Sequence, residues 1–180
     1  MITKTLLGFV KTNPDSIFLI SHSKKYSYKY FYSLVQSGAN FLNETSSQRV
    51  YFYAHDSAEL LALVFASEML GKEVCILNRS YHENQVIDII NNLGQGLLIQ
   101  ESDYNDFPKS VKLSNCFTKS SESDLLYSND GRIIILTTGT TGTPKAALYS
   151  WHTLFSQTTF GKKQSKANEH VWLLAYPLNH

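Results

Sequence analysis

Residues 50–77 read VYFYAHDSAELLALVFASEMLGKEVCIL, and the change of pattern inside this stretch decides the fold. Val50-Tyr51-Phe52-Tyr53 and Val74-Cys75-Ile76-Leu77 are short, continuous apolar runs, as expected of strands buried on both faces. Between them the chain is apolar nearly all round as far as Leu70, which predicts a helix with no solvent face. Asp56 and Glu59 stand at capping-box spacing to start that helix, and Gly71 stops it. A strand, a helix and a strand with short connections predict parallel pairing through a right-handed crossover.

The same alternation continues outward. Ser80 and Glu83 repeat the capping-box spacing before a helix carrying Val86, Ile87, Ile90 and Leu93. Gly94 or Gly96 ends it, and Leu97-Leu98-Ile99 is the next strand. Toward the amino terminus, Phe31, Leu34, Val35, Gly38, Phe41 and Leu42 recur at helical spacing and predict an amphipathic helix from about Tyr28 to Asn43. Ser16 to Ser21 and Lys25 to Tyr28 read as a small hairpin before it, preceded by a segment able to form a short helix. The fold class is therefore α/β, a parallel sheet flanked by helices. From Glu101 to Gly131 the composition turns to Ser, Asp, Asn and Lys, with Val111, Leu113, Phe117, Leu125 and Leu126 as anchors, so a surface meander is expected there. The organisation read from the sequence is one incomplete domain: a wound unit at 1–100, a polar meander at 101–131, and a loop with a following strand, helix and strand at 132–180.

Composition narrows the function classes. The 180 residues are 43% hydrophobic and 17% charged, within the range of ordinary globular domains. Sixteen Lys and Arg against fifteen Asp and Glu leave a net charge of +1, so neither a nucleic-acid partner nor an anionic membrane surface is expected, and any anion binding must be local. Cys75 and Cys116 lie far apart without a CxxC pair and read as structural thiols in a reducing compartment. The amino terminus has Lys4 and Lys11 among its apolar residues and no cleavage signature, and the expected location is the cytoplasm. His22, His55, His82, His152, His170 and His180 show no close metal-ligand spacing, so no metal site is expected. His55-Asp56 resembles a catalytic pair, but neighbours at a strand end point different ways, and capping by Asp56 accounts for the acid better. His152 is read as decorating the start of a helix.

The apolar run Ile133 to Leu136 ends abruptly in Thr137-Thr138-Gly139-Thr140-Thr141-Gly142-Thr143-Pro144-Lys145. Unhindered glycine N–H groups, threonine hydroxyls and one lysine are what a polyphosphate needs. The P-loop rule fails, because Pro144 precedes the lysine and Ala146 follows it. A bland alternative is a Gly/Thr-rich turn with Lys145 merely solvated. The length of the pattern argues against it: this stretch resembles the phosphate-binding signature of the adenylate-forming superfamily, which holds acyl-CoA synthetases, peptide-synthetase adenylation domains and luciferases. Gly71 to Asn78 with the helix after it is similar to an early strand and turn of that family. Trp172 to His180 is similar to its next core motif, a strand ending in Pro-x-x-His.

The resemblance implies that Thr137, Thr138, Gly139, Thr140, Thr141, Gly142, Thr143 and Lys145 hold the phosphates of ATP, and that His180 sits at the carboxylate pocket. It implies a ligase that joins a carboxylic acid to AMP with release of pyrophosphate, then passes the acyl group to a thiol, of CoA or of a carrier protein. ATP and magnesium are the implied cofactors, the magnesium ligand falling beyond His180 with the family's Tyr-Gly-x-Thr-Glu motif, ribose-binding Asp and catalytic Lys. Two departures, Ala146 where Gly is usual and Thr138 where Ser is common, look tolerable. The 180 residues alone are therefore expected to be inactive, completed by the remainder of the same enzyme or by a complementing subunit. Two alternatives stay open: a truncated or split nucleotide-binding remnant, and a nonenzymatic domain whose loop takes a simple anion. A strand running into Pro177 and stopping at His180 is read as an unfinished chain.

Overall fold

The computed structural model describes residues 2–101, 110–118, 127–128, 130–137, 144–157 and 178. Helix α1 (Ile2–Thr12) is followed by a hairpin of β1 (Ile17–Ser21) and β2 (Lys24–Ser27), then by α2 (Tyr28–Asn43). The wound unit follows as β3 (Arg49–Tyr53), α3 (Ala58–Met69), β4 (Glu73–Ile76), α4 (Glu83–Leu93) and β5 (Leu97–Gln100). After it come β6 (Ser110–Lys112), a 3-10 turn at Leu113–Phe117, β7 (Arg132–Thr137), β8 (Lys145–Ser150) and α5 (Trp151–Gln157). The main sheet runs β6-β5-β3-β4-β7-β8. Every pairing in it is parallel except β7 with β8.

The alternation along each strand explains the layers. Val50 and Phe52 of β3, with Val74 and Ile76 of β4, face a core shared with α1, α2 and α3. Tyr51, Tyr53, Cys75 and Leu77 point the other way and pack with Val86 and Ile89 of α4. Side chains on successive strand residues take opposite faces, so a strand covered on both sides reads as a continuous apolar run. Helix α3 is buried on nearly every side because it lies against the sheet and under both α1 and α2. Gly38 lets α2 approach α3 closely: a Cβ there would stand 2.8 Å from Leu63 Cδ2.

Two buried charged groups find partners on other elements. Glu68, 1% exposed, accepts hydrogen bonds from the Thr3 backbone N–H and hydroxyl at 3.3 and 2.6 Å, which ties α1 to α3. The Lys72 ammonium donates to the Ser47 carbonyl at 2.6 Å, and burial lowers its pKa. The hairpin turns on His22 and Ser23, both at positive φ, where the sequence carries no glycine.

Three expectations change. Asp56 does not cap α3: Ser57 is the N-cap, its Oγ accepting the Leu60 N–H at 3.0 Å. Ser80 does not cap α4 either. Its N–H is taken by Asn78 Oδ1 at 2.9 Å, and the cap is His82, whose backbone N–H donates to Gln85 Oε1. The glutamine does what a glutamate does in a capping box, one residue pair further along than the Ser80/Glu83 spacing suggests. Within 101–131 the chain supplies β6, which includes the anchor Val111, to the sheet and buries the anchor Leu113 together with Cys116, while Leu125 and Leu126 lie outside the described residues; three strand residues are too few to announce an element. The helix expected from about Ser150 to Ser165 begins as α5, while residues 158–165 and the expected strand Val171 to Pro177 lie outside the described residues.

Candidate functional site

Because β3, β4, β5 and β7 run parallel, their carboxyl ends at Tyr53, Ile76, Gln100 and Thr137 open on one edge of the sheet. From β3 the chain leaves into α3 on one face, and from the neighbouring β4 into α4 on the other. Divergence of adjacent connections makes a crevice at that edge, which is where open α/β sheets bind ligands.

The two ends of the Gly/Thr stretch, Thr137 and Lys145, reach this edge on a hairpin. Strands β7 and β8 are antiparallel in a register that pairs Thr137 with Lys145, and the Thr137 hydroxyl donates to the Lys145 carbonyl at 3.3 Å. Both ends of the predicted phosphate loop are thus fixed side by side next to β4, with the side chains of Thr137 and Lys145 exposed. Thr138, Gly139, Thr140, Thr141, Gly142 and Thr143 lie outside the described residues, as does His180. Leu178, two residues before His180, is brought to the same edge: its N–H points at both carboxylate oxygens of Asp56, 3.3 Å from each.

The crevice has further polar groups that sequence reasoning missed. Arg79, just after β4, lays its guanidinium 4.4 Å from the Tyr53 ring centroid and donates from Nη1 to the Tyr53 carbonyl at 3.4 Å. Its Nε is buried with no hydrogen-bond partner. His55 pairs through Nδ1 with Glu101 at the end of the adjacent β5. His55 and Asp56 therefore serve different partners and form no dyad, as their strand-end positions predict. The only sequence signal for Arg79 or Glu101 is position after a strand end, which many solvated charges share.

Cys75 is no candidate nucleophile. Burial pushes its thiol, and that of Cys116, up to about 12, so both stay protonated at neutral pH and behave as small apolar side chains. Among the described residues no three His, Cys, Asp or Glu side chains converge as a metal centre.

A family model described as AMP-binding enzyme matches residues 8–180. Among solved structures, the chain is similar to o-succinylbenzoate CoA synthetase (MenE) of Bacillus subtilis in complex with its acyl-adenylate intermediate. The TM-score is 0.78 at 18% identity, over 97% of this chain and 39% of that one. The same synthetase with ATP and magnesium ion gives 0.75 at 19% identity, over 97% and 51%. The N-terminal subdomain of NpsA from Klebsiella oxytoca, bound to 3-hydroxybenzoyl-AMSN, gives 0.68 at 20% identity, over 83% and 40%. At such identities the likeness is one of fold, and the chain spans about two fifths to one half of these structures. No curated protein matches it.

Proposed function

The chain belongs to the AMP-binding enzyme family, and from that premise we propose that it is the N-terminal portion of an adenylate-forming ligase that activates a carboxylic acid with ATP and transfers the acyl group to CoA. The observation that carries this reading is the β7–β8 hairpin, which pins Thr137 and Lys145 together at the ligand edge of the sheet and delivers the intervening Gly/Thr stretch between them. In support, the CoA synthetase neighbour is solved with ATP and magnesium and with an acyl-adenylate.

On this reading Thr137, Thr138, Gly139, Thr140, Thr141, Gly142, Thr143 and Lys145 hold the β- and γ-phosphates of ATP. The acid's carboxylate attacks the α-phosphorus, the bond to the bridging oxygen breaks, and pyrophosphate leaves with its charge balanced by Lys145. The protein contributes charge neutralisation and alignment of attacking and leaving oxygens. Lys145 fits because it is exposed at the loop's end and no described carboxylate pairs with it, leaving the ammonium available to an anion. His180 lines the acid pocket. Magnesium, when bound, shields the phosphate charge; its carboxylate ligand and the adenine pocket belong to the part of the ligase that this chain does not span. Residues 1–100, 101–131 and 132–180 are three sections of one domain. No described helix is long and apolar enough to cross a membrane, and we place the reaction in the cytoplasm, where ATP and CoA are at hand.

Acid-dependent ATP–pyrophosphate exchange over a panel of aryl, fatty and amino acids tests the proposal on the protein together with its complementing portion. Lys145→Ala is expected to lower exchange about a hundredfold, the scale for removing one preorganised charge-stabilising group. Its unfolding free energy should change by no more than about 0.5 kcal/mol, as for an exposed side chain. Absence of exchange with every acid sinks the ligase reading. Tight ATP binding without exchange would instead identify a nucleotide-binding remnant.

A further inference from the structure

We infer that Asp56 is a positioning residue that ties Leu178, two residues before His180 in the sequence, to the carboxyl end of β3. The inference rests on the proposed function for the role of His180, and on the structure for the tie itself. Asp56 is not needed to start α3, since Ser57 takes the Leu60 N–H. Its partly buried carboxylate faces the Leu178 N–H, 3.3 Å from each oxygen, across 122 positions of sequence. The Leu178 side chain packs against the main core cluster, so this residue is held both by an apolar contact and by a charge-assisted hydrogen bond.

The turn that carries Asp56 is itself fastened. His55, the preceding residue, pairs with Glu101 at the end of β5, and Ser57, the next, caps α3. Asp56 is thus a fixed acceptor at the crevice, and Leu178, two residues before His180 in the sequence, is held by it. Displacement of a substrate-positioning group by about 1 Å can lower a rate a hundredfold, so a backbone tie this near a pocket residue acts on substrate placement. The carboxamide of Asn offers the same acceptor oxygen without the charge. The tie therefore survives Asp56→Asn and is lost in Asp56→Ala.

Hydrogen–deuterium exchange at the Leu178 amide tests the tie without any substrate. Asp56→Ala should speed exchange at this amide about tenfold, the scale of one hydrogen bond, and Asp56→Asn should leave it close to the wild-type rate. In the exchange assay Asp56→Ala should raise the KM for the acid about tenfold while the KM for ATP stays put, and Asp56→Asn should restore the acid KM. Unchanged Leu178 exchange in Asp56→Ala overturns the inference. So does protection lost throughout β3 and α3, which would make Asp56 a folding residue. If the wild type shows no activity with any acid, the ligase reading fails by itself, and exchange at Leu178 still decides whether the tie exists.

Discussion

Strands β3 and β8 belong to the same sheet and are treated differently by the rest of the molecule. In β3, Val50, Tyr51 and Phe52 are fully buried and Tyr53 is 7% exposed; in β8, Leu148 is 49% and Tyr149 39% exposed. The difference follows from position. β3 has strand neighbours on both sides and helices on both faces, while among the described residues β8 is the last strand of the sheet and pairs with β7 alone. Among the described strands of this sheet, the hairpin that carries the phosphate-loop candidate is therefore built on a lightly covered one, and the scaffold that orients it on a fully covered one. Binding residues held on a lightly packed element can be altered without loss of the core that positions them.

Stability measurements can break this contrast outright. Phe52→Ala removes a side chain with no exposed surface and is expected to cost about 3–5 kcal/mol, by lost transfer free energy and a residual cavity. Leu148→Ala in β8 should cost no more than about 0.5 kcal/mol, since half the side chain already meets solvent. Denaturant unfolding of the two variants measures the gap directly. Equal losses would mean that β8 is covered as well as β3, and the division between scaffold and site would fall.

The same contrast explains what was legible in the sequence. Helix α2 is found at the Tyr28–Asn43 bounds that its apolar spacing predicts, and β3, α3, β4, α4 and β5 fall within a residue or two of their expected places. Burial on both faces writes itself into composition, and glycines punctuate the ends. The antiparallel turn of β8 against β7 was not legible, because six residues with four exposed carry no periodicity of a core strand. Short β6 escaped for a similar reason, joining the sheet through three residues inside a polar stretch. At the site, residue chemistry marks out Thr137 to Lys145 as a phosphate-loop candidate, and the fold pairs those two end residues across the β7–β8 hairpin. The partners of His55, Asp56 and Arg79 were not, since Glu101, Leu178 and Tyr53 come from other elements and only the folded sheet brings them within reach.

A smaller effect sharpens the boundary between the packed and open edges of the sheet. Gly71, between α3 and β4 at the amino-terminal edge, has φ +72°, and a Cβ there would meet Ser128 Oγ at 2.3 Å. Gly71→Ala should cost about 1–2 kcal/mol from the left-handed backbone alone. The clash with Ser128 adds to it, so Gly71→Ala combined with Ser128→Gly should recover part of the loss but not all. Full recovery in thermal or denaturant unfolding would show that backbone conformation contributes nothing and that contact with Ser128 is the whole constraint.

The smallest effect separates the two residues that share the start of α3. Ser57 supplies the cap, its Oγ accepting the Leu60 N–H, whereas Asp56 turns toward Leu178. Ser57→Ala should therefore destabilise the protein by about 1 kcal/mol, the usual loss when a hydroxyl cap is removed. Asp56→Ala should leave the midpoint of unfolding nearly where it was, because the tie it breaks joins a single backbone N–H to a partly solvated carboxylate. Both variants read by denaturant unfolding, with far-UV circular dichroism for helix content, test this division. If Asp56→Ala is the more destabilising of the two, the acid belongs to the scaffold after all, and the turn after β3 sits on the buried side of the contrast between β3 and β8. If the order is as expected, that turn is where the contrast changes over: Ser57 holds the helix that covers the sheet, and its neighbour one residue earlier serves the crevice.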